Sequence, residues 1–343
     1  MNTAPPAPPI ASWDGVGVTI GEILDRLAAQ RRPVDGGPPL TLAGVLNLIV
    51  HVPGPGDLDE MRGLIERLAG YQPSRAVMLV ESDDGRGIDA AVSTSCRLSG
   101  GNVTVGVELV VLHLHGDGRE GDASAIRPLL RPSLPTLLWW PGPPDLSPGG
   151  PLARLAPLAG RAVTETGRSG DGCDAIGRLA AWVPTAPGAV TDLAWAAITP
   201  WRQLIAQMLD VAELRAPGGG PLEAVIAHPG ARPTAEALLL AGWLHDLAGD
   251  RLALTTEPRP GGDAAVVAIE LTLPERGRRI SIERGPGRQA ATVCVGEGGR
   301  DTRRMLPLPE TDRGSLLAGE LEIQRRDHAF ERALPFAAEV ACR

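Results

Sequence analysis

The sequence predicts an α/β protein of two domains. Residues 13–185 form an N-terminal α/β sheet with helices, and 186–343 a C-terminal α+β or mixed α/β domain with antiparallel strands. Three observations lead there. The length of 343 residues suffices for two domains of ordinary size with two separate cores. In the first half, short apolar runs alternate with segments of helical period. In the second half, short apolar runs follow one another with only Gly, Pro and Arg turns between them, the pattern of antiparallel strands.

Residues 1–12, beginning MNTAPPAPPI, are expected to be a disordered proline-rich leader. Over 20–30, Ile23, Leu24 and Leu27 alternate with Glu22, Asp25 and Arg26, an amphipathic helix. The apolar, β-branched stretch 42–52 reads as a buried strand. A Pro-Gly turn then leads into a helix capped by Asp57, with Met61, Leu64, Ile65 and Leu68 facing inward. Strands are expected over 76–80, 88–96 and 102–114, and a short helix over 123–130.

The next strand, 134–140, ends abruptly at the Pro-Gly cluster 141–144. Trp139 and Trp140 are neighbours in it, so in an extended chain their indoles point to opposite faces. Either both fill cores, or one anchors a protein partner, held by the rigid loop through Pro141, Gly142 and Asp145.

A helix at 151–159, a strand at 162–165 and a helix at 175–182 follow, and 184–188 reads as the linker at the boundary. Thr199 and Pro200 supply a hydroxyl cap and a first-turn proline for a helix whose apolar face holds Trp201, Leu204, Ile205 and Met208; Arg202 lies on another face. Beyond it the pattern gives a strand at 222–227 and a helix at 234–247. Strands at 252–256, 264–273, 279–283 and 290–295 come next, then helices at 311–324 and 329–334.

Composition excludes several chemistries. All 33 basic residues are arginine, so a phosphate-loop lysine, a Schiff-base lysine and a kinase lysine are excluded. A net charge of -8 disfavours nucleic acid and anionic membranes as partners, and no apolar run reaches the length of a spanning helix. A cytoplasmic protein is expected. The four cysteines form no CxxC pair, and GxSxG, HExxH and EF-hand patterns are missing. Gly15 and Gly17 precede a helix but follow no convincing strand, and read as a turn rather than a dinucleotide fingerprint.

His113 and His115 share one strand face and could seed a metal site with Asp117, but a solvated strand end accounts for them, and no metal or cofactor is expected. Arginines are densest at 276–304, where Arg278, Arg279, Arg303 and Arg304 are candidates for binding an anion.

Five ordered segments carry a resemblance: LTLAGVLNLIVHV, PSRAVMLV at 73–80, IRPLLRPSLPTLLWWPGPPD at 126–145, DLAWAAITPWRQLIAQMLD at 192–210 and DHAFERAL at 327–334. In this order and spacing, LLWWPG and LAWxxxTPWR above all, the chain resembles the OpcA family, the glucose-6-phosphate dehydrogenase assembly proteins of actinobacteria and cyanobacteria. The resemblance implies a non-catalytic regulator that binds this dehydrogenase, promotes its active, allosterically activated oligomer and raises oxidative pentose phosphate flux. Trp139, Trp140 and the loop to Asp145 are the expected contact, with Arg75, Trp201 and Arg202 as further candidates. The other reading is a sugar-phosphate sensor or enzyme that uses the arginine hairpins.

Overall fold

Apolar runs without polar alternation must be buried on both faces, which places them at the centre of a parallel sheet. In the computed structural model the described residues are 11–30, 44–68, 72–82, 86–99, 103–116, 122–209, 220–260 and 264–341; the expected leader lies almost wholly outside them. The first sheet has eight strands: β1 (Ala11–Gly15), β2 (Leu46–Val52), β3 (Ser74–Ser82), β4 (Gly87–Ser99), β5 (Val103–His115), β6 (Thr136–Trp140), β7 (Arg161–Thr164) and β8 (Ala189–Asp192). Their spatial order is β1-β4-β5-β3-β2-β6-β7-β8. From β5 to β8 every pairing is parallel, while β1 and β4 extend the sheet antiparallel at one edge. The first seven residues of β3 are all buried, as a central strand requires.

Helices α1 (Ile20–Ala29), α2 (Leu58–Leu68), α3 (Asp122–Ile126), α4 (Pro151–Leu155) and α5 (Gly172–Trp182) intervene between these strands, and α6 (Leu193–Ala197) and α7 (Thr199–Met208) follow the last. Thr19 and Glu22 close a capping box on α1.

The C-terminal sheet has the order β10-β9-β11-β12-β13-β14, where β9 is Leu222–His228, β10 Leu252–Pro258, β11 Ala268–Leu273, β12 Arg278–Arg284, β13 Ala290–Glu297 and β14 Arg300–Pro307. Only β9 and β10 pair in parallel, joined through helix α8 (Ala235–Ala248); the rest is antiparallel. The chain ends in α9 (Arg313–Glu322) and α10 (His328–Ala341). The mixed α/β class read from the sequence is the class observed.

Three strands escaped the sequence reading. β1 and β14 are edge strands with little apolar content, and β8 begins right after the expected linker, so the first sheet extends beyond residue 185. Gly15 and Gly17 do follow a strand, but an antiparallel edge strand, and Gly17 N–H donates to Asp89 Oδ1 at 2.8 Å.

The two cores are not separate. One face of the first sheet, holding Ile49, Leu138 and Trp140, shares a continuous apolar core with Ile226, Ile269 and Ile280 of the second sheet. The bridge is α8, whose sequence AEALLLAGWLHDLA is apolar all round and buried nearly all round. Gly242 permits its close approach to α10: a Cβ there would lie 2.1 Å from the Ala333 carbonyl oxygen. The opposite face of the first sheet, with Val50, Met78 and Trp139, is covered by α2 and by Leu317 and Leu321 of α9. The C-terminal segment therefore returns to roof the first sheet.

Candidate functional site

In a parallel sheet the carboxyl ends of the strands open onto the surface where α/β proteins place their sites. Here β6, β7 and β8 end at Trp140, Thr164 and Asp192, and the chain beyond β7 meets α6, α8 and α9. Asp192 is fully buried and caps α6 through Ala194 N–H at 2.8 Å. Its carboxylate also accepts from Thr164 Oγ1 at 2.6 Å, from Thr166 Oγ1 at 2.8 Å and from Thr166 N–H at 3.0 Å. Four donors on one buried carboxylate fix the ends of β7 and β8 together.

Glu165, next after β7, takes both forks of Arg313 from α9, at 2.7 and 2.8 Å. Arg313 also reaches Glu60 of α2 at 2.5 Å and lies over the Trp139 ring, 5.1 Å from its centroid. Burial pushes the Glu165 carboxyl above its ordinary range, and Arg313 opposes that shift. A second buried pair, Arg161 with Glu320 at 2.5 Å, ties α9 to β7.

Between these elements run two joined hollows of about 250 and 180 Å³, which share Ala197, Glu236 and Leu316 as lining. Glu236 stands in the first turn of α8, where burial, then the charges of Asp192 and Glu165, push its carboxyl up to about 7. Burial thus holds its proton far above the usual carboxylate range, toward neutral pH. The nearby guanidiniums are occupied. Arg313 is spent on two carboxylates, and Arg284, 5.2 Å over the Trp201 ring, donates to the Arg288 and Leu308 carbonyls.

The expected contact residues take other parts. Trp139 and Trp140 do face opposite sides, but both are buried, Trp139 completely and Trp140 at 5% exposure. Trp140 stacks on His51 with centroids 4.0 Å apart and donates from Nε1 to the Pro143 carbonyl at 3.0 Å. Burial pulls His51 down to about 4, so this partner is neutral. Trp140 shapes the loop from inside; what reaches solvent is the strip after it, where Pro141 and Pro144 are buried, Gly142 and Asp145 half-buried and Leu146 44% exposed. Asp145 stiffens this strip by accepting from Ser147 N–H and Oγ at 3.0 and 2.7 Å.

Arg75 lies at the opposite, amino end of the sheet, buried between Glu108 at 2.8 Å and the Leu129 carbonyl at 2.9 Å. Trp201 is buried beside the hollows. Arg202 stacks on Trp195, 3.7 Å from its centroid, and donates to Thr199 Oγ1 at 2.8 Å. That hydroxyl does not cap α7, because α6 runs into it through Ile198. None of Arg75, Trp201 and Arg202 offers a free surface, because each completes a core or a buried polar set.

His115 pairs with Asp89 at 3.1 Å instead of joining His113 on an ion; Asp117 lies outside the described residues, among which no group of three metal-ligating side chains occurs. Of the arginine candidates, Arg279 and Arg303 share one face of the C-terminal sheet. Arg304 pairs with buried Val293 on the other, and Arg278 meets Glu297 at 3.7 Å. Sequence reasoning missed Asp192, Glu165, Glu236 and Arg313. Asp192 alone left a signal, an Asp directly before the apolar LAWAA run, which is a cap pattern.

Comparison with known proteins bears on the five segments, which this architecture links: Trp195 of DLAWAAITPWR donates from Nε1 to Asp327 of DHAFERAL at 2.7 Å. The profile described as "Glucose-6-phosphate dehydrogenase subunit N-terminal domain" matches residues 65–181, and the corresponding C-terminal domain profile matches 188–334. The chain belongs to the OpcA family. An OpcA relative, the "Putative OxPP cycle protein OpcA" of Synechocystis, is 26% identical over 188 residues, 54% of this chain and 39% of the relative. The chain thus aligns with about two fifths of that protein's length.

Solved structures similar to this OpcA chain include a 3-ketoreductase from Actinomadura kijaniata with NADP (11% identity, TM-score 0.45, 87% of this chain and 96% of that one). The transcriptional regulator Gal80p from Kluyveromyces lactis is another (7% identity, TM-score 0.46, 93% and 94%). Likeness at this level carries no argument about function.

Proposed function

We propose that the chain is a non-catalytic regulatory protein that binds glucose-6-phosphate dehydrogenase and promotes its active oligomeric form. The observation that carries this reading is the match of two consecutive profiles, both described as domains of a subunit of that dehydrogenase, across residues 65–181 and 188–334. The relative's printed link to the oxidative pentose phosphate cycle supports it. Physically, such a protein acts by binding the active oligomer more tightly than the less active state, and the population shifts by that difference in affinity.

The contact we assign is the strip Gly142, Asp145 and Leu146. It is partly apolar and exposed, ordered by Asp145 and Ser147, and Trp140, stacked on His51, holds it from beneath. A pre-ordered loop loses little entropy on docking.

The test titrates purified full-length chain into glucose-6-phosphate dehydrogenase of the same organism, following activity and co-sedimentation. Saturable activation with co-migration is expected, and Leu146→Arg abolishes both while leaving the thermal transition in place. If there is neither activation nor co-migration, the reading fails. If Leu146→Arg behaves as wild type, the contact lies elsewhere.

A further inference from the structure

The outer face of the C-terminal sheet carries a cradle whose membership is decided by register. Cys294 of β13 pairs with Ser281 of β12 and with Arg303 of β14, so these three side chains stand in one row. Two residues along, Thr272, Arg279, Gly296 and Asp301 form the next row on the same face. Together they line a hollow of about 700 Å³, within the size range of small-molecule sites. Gly296 opens its floor, for a Cβ there would lie 2.7 Å from Asp301 Oδ1.

Charge singles this place out in a chain of net charge -8. Arg279 and Arg303 make no ion pair and no side-chain hydrogen bond among the described residues, unlike Arg161 and Arg313 between the first sheet and α9. At the rim Arg278 and Glu297 face each other at 3.7 Å. The lining thus holds three guanidiniums, of Arg278, Arg279 and Arg303, against the two carboxylates of Glu297 and Asp301. β12 and β14 lie two strand spacings apart, roughly 10 Å, so their arginines can grip one small anion from both sides.

We infer that this cradle binds a phosphomonoester of a small polyhydroxylated molecule. Two planar forks match the several oxygens and double charge of a phosphate, whereas a lone carboxylate engages only one fork. The Thr272 and Ser281 hydroxyls bond the remaining phosphate oxygens, and Asp301 accepts from a hydroxyl of the ligand body.

The test is isothermal calorimetry on the full-length chain with glucose 6-phosphate, and with inorganic phosphate, glucose and succinate as comparison ligands. Glucose 6-phosphate is expected to bind and glucose not. Arg279→Gln and Arg303→Gln each weaken binding by about tenfold or more, the loss of a charge-assisted bond. Asp301→Asn tightens inorganic phosphate. Bound ligand also slows alkylation of Cys294, read by peptide mass spectrometry. The proposal is overturned by the absence of both heat and protection, by equal binding of succinate, or by unchanged affinity in the Arg279→Gln/Arg303→Gln double variant. No dehydrogenase is present, so the result is independent of the activation experiment.

Discussion

The molecule uses arginine in two opposite ways. Between the first sheet and α9, buried Arg161 and half-buried Arg313 pair with the carboxylates of Glu320 and Glu165 and join elements more than a hundred residues apart in sequence. On the outer face of the C-terminal sheet, Arg279 and Arg303 are exposed and unpaired among the described residues. The difference teaches what each arginine can do. A guanidinium drawn out of water against a carboxylate serves the fold, whereas a solvated one keeps its charge available for a ligand.

The largest effect should come from breaking the junction. Arg313→Ala strands Glu165 in a site where burial already raises its pKa, and removes the cover of Trp139. Loss of one partner of a buried pair costs about 3–5 kcal/mol, read from the urea midpoint. A cost near that of a surface substitution would erase the contrast between the two arginine sets. Gly242→Ala tests the bridge between the two sheets by volume alone, since the added methyl meets the Ala333 carbonyl. About 1–3 kcal/mol of destabilisation is expected from such overpacking.

Glu236 sharpens the comparison through pH. Its folded pKa of about 7 lies above the ordinary carboxyl value of the unfolded chain, so the folded state holds the proton more tightly. Stability from this group is complete below about pH 4, falls as pH rises, and is lost above about pH 7. Glu236→Gln keeps the neutral form at every pH. The variant should match wild type at about pH 4 and exceed it at about pH 8 by roughly 1–2 kcal/mol, a range that discounts solvent screening of a partly exposed group. Equal thermal midpoints at both values would show that the carboxyl feels no such burial.

How much of this was legible in the sequence follows from range. Runs at 42–52, 76–80 and 134–140 announce the central strands β2, β3 and β6, whose two faces are buried, and α2 shows its inward face by period. Trp139 and Trp140 could be placed on opposite faces from adjacency alone. Local pattern could not show that α9 returns to roof the first sheet, that Glu165 meets Arg313 148 residues later, or that Asp192 gathers both threonines. Those pairings depend on topology. For the same reason the arginine hairpins looked like one cluster, although strand register divides them between two faces.

The smallest expected effect is the most discriminating. Arg279→Gln and Arg303→Gln remove two charges from the protein, yet each should change the unfolding free energy, read from the urea midpoint, by no more than about 0.5 kcal/mol, because neither guanidinium is desolvated or paired among the described residues. Set beside Arg313→Ala, the pair isolates burial as the variable, since a guanidinium is deleted in every case. A large loss from Arg303→Gln would mean that this arginine carries structure, and the cradle would then be a strand edge under tension. Unchanged stability with lost phosphate binding would separate the two uses of arginine, because a residue that does nothing for the fold but decides affinity is acting on the ligand.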